Sequence, residues 1–279
     1  VSLFFAVIIA YIVPTYHFIV ARCQAALDGL APHLDASPQE IAGLRRAIAE
    51  RGVRAQLLML GIGIAAGIAH NVALSGPVGL VRGASSSLAY AAVACGTLLV
   101  WIVMTSVIAG LFQIAGLFAR LARRVRIDLL RLRALTPFAD VAVISTLALI
   151  GAQAAFPLLW LDAGTSPIAS IPGVVATGIP MLFLFALPLV PIHRAIAAAK
   201  AAEIDRLDAE VAAATRRGQH DVAHFAQVAP LLIYRREIES AREWPFDTGA
   251  SGRLALYLVI PPFTWVGAAL IQHFVERAL

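Results

Sequence analysis

The chain has 279 residues, of which 60% are apolar and only 14% charged, with a formal net charge of +5 and a mean hydropathy of +0.82. Soluble domains are nearer half apolar and a quarter charged, and a core of this size cannot hold so much apolar surface. These figures exclude a water-soluble enzyme, a disordered chain and a secreted disulfide scaffold, and leave a helical membrane protein.

A bilayer core about 30 Å thick takes roughly 20 apolar residues of helix. Segments of that kind run, in chain order, over Leu3–Val20, Gln56–Leu74, Leu88–Phe118, Phe138–Trp160, Ile171–Ile192 and Leu254–Phe274. None carries a charge at its centre. The third is overlong, so it should tilt or project beyond the bilayer. The predicted fold is therefore all-α: a polytopic transmembrane bundle of six spans with a cytoplasmic helical hairpin or stalk. Residues 1–192 hold the first five spans with the connections 21–55 and 119–137, residues 193–252 the stalk, and residues 253–279 the last span.

Charge gives the direction. Twenty of the 22 basic residues fall in the connections after spans one, three and five; the other side has only Arg82 and Arg277. The positive-inside rule puts the three basic connections in the cytoplasm and both chain ends outside. Trp160 then suits an outer interfacial anchor. The positive charge reports topology, and no nucleic-acid partner is expected. Only Lys200 is a lysine, an arginine bias that fits a GC-rich bacterial genome and so a bacterial inner membrane. Cys95 falls inside an apolar span, so no structural disulfide with Cys23 is expected. The chain opens with Val1 in an apolar run. Either a GTG start codon is read literally or a further segment precedes it, which would give seven spans and an inner N-terminus. The first segment reads as a span and not as a signal peptide, because it lacks a basic leader and is interrupted by Pro14, Tyr16 and His17.

The connections have structure of their own. Ser37-Pro38-Gln39-Glu40 reads as an N-cap, a proline at the first helical position and an early acid. Ile41, Leu44 and Ile48 follow at helical spacing, which predicts a short amphipathic helix. The basic run from Arg120 to Arg133 either meets anionic lipid headgroups or simply obeys topology. From His193 to Arg217 the composition suits a helix that continues span five as a stalk and stops at Gly218. Ile204, Leu207 and Val211 form its seam, and Arg206 and Glu210 an i,i+4 pair. Val222, Phe225 and Val228 predict a short return helix ended by Pro230, and Leu231–Trp244 another. This hairpin is either an oligomerisation or docking stalk or an internal packing layer with a solvated face.

Few motifs carry chemistry. His220-Asp221-Val222-Ala223-His224 resembles the H-E-x-x-H zinc pattern with aspartate for glutamate. Asp is shorter by a methylene, and no third ligand is placed beside the pair, so no metal site is expected. No phosphate loop, dinucleotide fingerprint or nucleophile elbow is present, and neither a cofactor nor an enzymatic activity is expected. Gly63 and Gly67 form a small-xxx-small pattern that lets two helix backbones approach, within the chain or between copies. Asp140, near the cytoplasmic end of span four, is the one carboxylate within a span, and its end position argues against ion-coupled transport. Polar residues such as His70, Asn71, Ser106, Gln113, Ser145 and Gln153 should turn inward to bond neighbouring helices. Pro180, Pro188 and Pro191 should bend span five. Pro261-Pro262 breaks span six and leaves the carbonyls of Tyr257 and Leu258 without helical partners. Tyr257, Thr264 and Gln272 are then candidates for the wet face of a path through the bilayer.

Glu243-Trp244-Pro245-Phe246-Asp247-Thr248-Gly249, followed by an apolar span, resembles the tail of a group of uncharacterised bacterial multi-pass membrane proteins, as does Pro191-Ile192-His193-Arg194 leading into a charged helix. The resemblance covers the last third of the chain and implies a helical membrane fold without an activity. The function expected is a passive, homo-oligomeric, channel-like pore in the lipid bilayer. The alternative is a non-conducting scaffold or signalling subunit that binds a cytoplasmic protein through residues 193–244.

Overall fold

A computed structural model of the chain describes residues 2–159, 171–217 and 222–245. The described residues are nearly all helical and contain no strand. Seven α-helices follow one another: α1 Ser2–Leu30, α2 Pro38–Ala49, α3 Val53–Ser86, α4 Leu88–Leu121, α5 Thr136–Gln153, α6 Ile171–Arg217 and α7 Val222–Ser240. Single 3-10 turns lie at Ala31–His33, Leu132–Leu135 and Phe156–Leu159. Five segments, containing α1, α3, α4, α5 and α6, are long and apolar enough to cross a bilayer. The chain is therefore a helical membrane protein. The sixth predicted span, Leu254–Phe274, lies outside the described residues, as do Trp160 and Phe246-Asp247-Thr248-Gly249.

Four helices, α1, α3, α4 and α6, run beyond the expected apolar spans. α1 continues ten residues past Val20 because Cys23, Leu27 and Leu30 repeat one buried face against the core of the bundle. α4, with 34 residues, is about 51 Å long at 1.5 Å per residue and overshoots a core of about 30 Å. α6 runs unbroken for 47 residues through Pro180, Pro188 and Pro191. α7 likewise runs through Pro230, so the two short helices expected over Val222–Trp244 are one helix ending at Ser240. A proline removes one ladder bond, and the turns on either side continue when packing holds them. Here Ile238 of α7 and Leu207 of α6 are buried.

α3 carries the one break in the ladder among the described residues. Gly76 has φ 69° and ψ 161°, a conformation open to glycine and not to an L side chain, and Pro77 follows it. The helix resumes to Ser86, and Ser87 caps α4 by accepting from the Tyr90 amide at 3.3 Å. α3 and α4 form a tight hairpin. A Cβ built on Gly63 would lie 2.6 Å from the Ile102 Cα, and one on Gly67 3.0 Å from the Leu98 Cα. Gly63 and Gly67 thus face α4 of the same chain. Asn71 seals the contact, donating across it to the Ala94 carbonyl at 3.2 Å.

The basic end of the bundle is a compact layer. Ser37 caps α2 with a reciprocal capping box: its hydroxyl accepts from the Glu40 amide at 3.2 Å and its amide donates to the Glu40 carboxylate at 2.8 Å. The basic loop after α4 docks onto the α1–α2 turn. The Arg126 amide donates to the His33 carbonyl at 2.8 Å, and Arg124 and Arg126 pair with Glu40 and Asp35 at 3.3 and 3.4 Å. The Ser37 amide and the Arg124 guanidinium hold the Glu40 carboxyl below the usual glutamate range. Beyond the bundle α7 folds back along the end of α6. Arg235 pairs with Asp208 at 2.5 Å, Arg206 with Glu210 at 2.5 Å, and the His193 ring stacks on Trp244 with centroids 4.1 Å apart. Lys200 donates to the Ala241 carbonyl at 2.9 Å and so caps the end of α7.

Candidate functional site: a chamber inside the bundle

Residues Phe4, Ile8, Ile12, Thr15 and Ile19 recur at three- and four-residue spacing and mark one face of α1. The matching face of α4 presents Val93, Thr97, Trp101, Met104 and Ile108. α3, α5 and α6 close the ring with His70, Leu149, Ala152 and Thr177. Between them lies a cavity of about 390 Å³ whose lining is mostly apolar. From Phe4 to Ile19 it follows about 22 Å of α1 at 1.5 Å per residue. Leu74 both lines the cavity and is 55% exposed, so the chamber reaches the outer surface of the bundle beside α3.

Glycines give the aromatic side chains around the chamber their room. A Cβ on Gly96 would meet the Phe5 ring at 2.7 Å, and one on Gly151 would overlap the Tyr11 hydroxyl. Tyr11 instead donates to the Ala148 carbonyl at 3.1 Å and ties α1 to α5. Near Thr177, Gln153 donates to its hydroxyl at 3.2 Å and ties α5 to α6. His70 packs near Trp101 at 5.9 Å, and its Nδ1 is buried without a hydrogen-bond partner among the described residues.

The basic end of the chamber is closed by a charged latch. Arg51 sits in the short link between α2 and α3 and is half-buried. Its guanidinium donates to the Ser106 carbonyl and, at 2.9 Å, to the Tyr16 hydroxyl, while its central carbon lies 5.4 Å from the Tyr16 ring centre. Tyr16 also lines the chamber. Gly110, buried on α4, makes this arrangement fit: a Cβ there would lie 2.5 Å from the Tyr16 oxygen and 2.6 Å from an Arg51 nitrogen. One turn further, Gln113 donates to the Ala47 and Glu50 carbonyls at 2.6 and 3.1 Å and holds the link in place. Ser106, Gly110 and Gln113 share one face of α4 at helical spacing. On the other side of Arg51 a second hollow of about 400 Å³ opens, lined also by Val53, Leu57, Leu60 and Ser106.

The residues expected to matter from sequence are placed differently. Tyr257, Pro261, Pro262, Thr264 and Gln272 lie outside the described residues, as does His220 and the side chain of His224. No cluster of three metal-ligating side chains occurs among the described residues. Asp140 is exposed near the start of α5. Arg51, Tyr16 and Gly110 had no motif to mark them; the signal was an arginine at the junction of an amphipathic and an apolar helix, facing Ser106 and Gln113. Compared with known proteins, the chain matches no family model, no curated protein and no solved structure.

Proposed function

We propose that the protein is a membrane-embedded binding protein whose bundle holds the hydrocarbon part of a guest molecule, with its basic end in the cytoplasm. The observation that carries this is the chamber of about 390 Å³ ringed by α1, α3, α4, α5 and α6, which has the size, apolar walls and few convergent polar groups of a ligand site. Among the described residues the chamber offers Tyr11, Thr15, Tyr16, His70, Thr97 and Thr177 as isolated polar handles on an apolar surface. The expected pore residues belong to the part of the chain outside the described residues and lend no support either way.

A photoreactive alkyl diazirine without charge tests the reading in nanodiscs. Labelling is expected on α1 between Phe4 and Ile19 and on α4 between Val93 and Leu111, and is expected to fall in Leu149→Trp and Met104→Trp, which fill the chamber. Labelling confined to the lipid-facing side chains, and unchanged by both substitutions, would overturn it.

A second reading has an observation of its own. Leu232 and Ile233 of α7 are 50% and 66% exposed, an apolar strip that suits a cytoplasmic protein partner on residues 193–244. Leu232→Glu with Ile233→Glu should abolish any such complex while leaving the labelling pattern intact.

A further inference from the structure

Arg51 differs from the ion-paired arginines of the basic layer in what surrounds its head. Arg45, Arg124, Arg126 and Arg131 each meet an aspartate or glutamate. Among the described residues no carboxylate lies within ion-pairing distance of Arg51. Its partners are two neutral oxygens, the Ser106 carbonyl and the Tyr16 hydroxyl. A guanidinium carries five N–H donors, so three are left over. A half-buried cation with spare donors and only neutral partners attracts an anion, and the planar fork suits the paired oxygens of a carboxylate or phosphate.

The position of this cation relative to the chamber narrows the anion's identity. The Tyr16 ring is part of the chamber wall, and its hydroxyl is what Arg51 grips. An oxyanion is a stronger acceptor than a phenol and would take over the Tyr16 position on the guanidinium. The group attached to it would then lead directly into the apolar chamber. The chamber follows about 22 Å of α1, a length that suits an extended hydrocarbon tail laid along the helix. The second hollow, lined by Val53, Leu57 and Leu60, reaches Arg51 from the surface and supplies a route for the headgroup.

We propose that Arg51 is the headgroup site for an anionic amphiphile, whose carboxylate or phosphate displaces the Tyr16 hydroxyl from the guanidinium while its tail fills the chamber. The proposal rests on the apolar-guest reading above and adds charge selectivity to it. Gly110 is a positioning residue for the pair, since it alone leaves space for both heads on that face of α4.

The test uses the full-length protein in nanodiscs and three probes of one chain length: a long-chain fatty acid, its methyl ester, and the corresponding lysophosphatidate. The fatty acid or the lysophosphatidate should bind the wild type at least about tenfold more tightly than the ester, the value of one charge-assisted hydrogen bond. Whichever acid binds more tightly identifies the source of the oxyanion. Arg51→Gln should remove the preference and leave ester binding unchanged, and Arg51→Lys should keep part of it. Arg46→Gln, which deletes an equal charge at an exposed site on α2, should keep all of it. Should Arg51→Gln fail to fold, Tyr16→Phe serves in its place: it frees a donor on Arg51 and should strengthen acid binding while leaving the ester alone. Equal binding of ester and acids to the wild type would overturn the headgroup site and leave the chamber reading standing. Failure of all three probes to bind, with no effect of Leu149→Trp, would overturn the chamber itself.

Discussion

Gly63→Ala isolates one contact on which the α3–α4 hairpin depends. The new methyl carbon would sit 2.6 Å from the Ile102 Cα and 3.2 Å from both the Ile102 nitrogen and the Trp101 carbonyl oxygen. These are backbone atoms of a helix and cannot swing aside as a side chain can. Carbon atoms settle at about 3.5–4.0 Å, so α3 must retreat by about 1 Å. Overpacking of this kind costs about 1–3 kcal/mol. The retreat also stretches the Asn71 bond to the Ala94 carbonyl from 3.2 Å to beyond bonding range. An interhelical bond in a membrane protein contributes about 0.6 kcal/mol. The sum is about 2–4 kcal/mol, read as a loss of unfolding free energy in mixed micelles titrated with a denaturing detergent. Gly61→Ala, two residues away, is the control: nothing lies within 4 Å of its Cβ, and no loss is expected. If the two variants unfolded alike, the close approach of α3 and α4 would be wrong.

Other outcomes follow from single contacts. Gly76→Ala meets no neighbour within 4 Å, yet should cost about 1–3 kcal/mol in the same titration, because its φ of 69° suits only glycine. Replacing Pro77 by alanine as well should restore part of that loss, since an ordinary helical turn can then form. Lys200→Gln removes the charged donor to the Ala241 carbonyl and the ion pair to Glu243 at 3.6 Å, and should speed tryptic cutting at Arg242 by about tenfold. The depressed pKa of Glu40 fixes a sign: its contribution to α2 is present above the ordinary glutamate pKa of about 4.3 and is lost as pH falls through the lower folded value. Hydrogen exchange of the Ile41 amide, corrected for intrinsic rates, should therefore rise below about pH 4 in the wild type and stay flat in Glu40→Gln.

What sequence revealed and what it hid divide along physical lines. Long apolar runs forced five spans, and the capping box at Ser37 was legible because its chemistry is local. The pair Arg206–Glu210 and the buried Leu207 followed from helical spacing alone. Proline was misleading over Val222–Trp244, because a lost ladder bond breaks a helix only where packing does not hold it. The chamber was not legible at all. Its walls read as ordinary lipid-facing or core residues, and which face of α1 or α4 turns inward depends on neighbours far away in sequence. Arg51 entered the reading as one of twenty topological charges; that its head turns inward to Tyr16 is decided by Gly110, 59 positions further on.

The glycine notches have a mechanical consequence for α1. Phe5 sits over Gly96, Tyr16 over Gly110 and Tyr11 over Gly151, so α1 engages α4 at two heights and α5 at a third. Sliding by one residue, about 1.5 Å, or turning by one position, about 100°, would drive each ring into a side chain at once. α1 is in effect a key with three teeth, fixed in depth and rotation, and it cannot work as a piston. In the proposed binding reading, the movement that admits a guest falls to α3, which leans chiefly on α4, carries the exposed Leu74 at the chamber wall and has its joint at Gly76–Pro77 two residues further on.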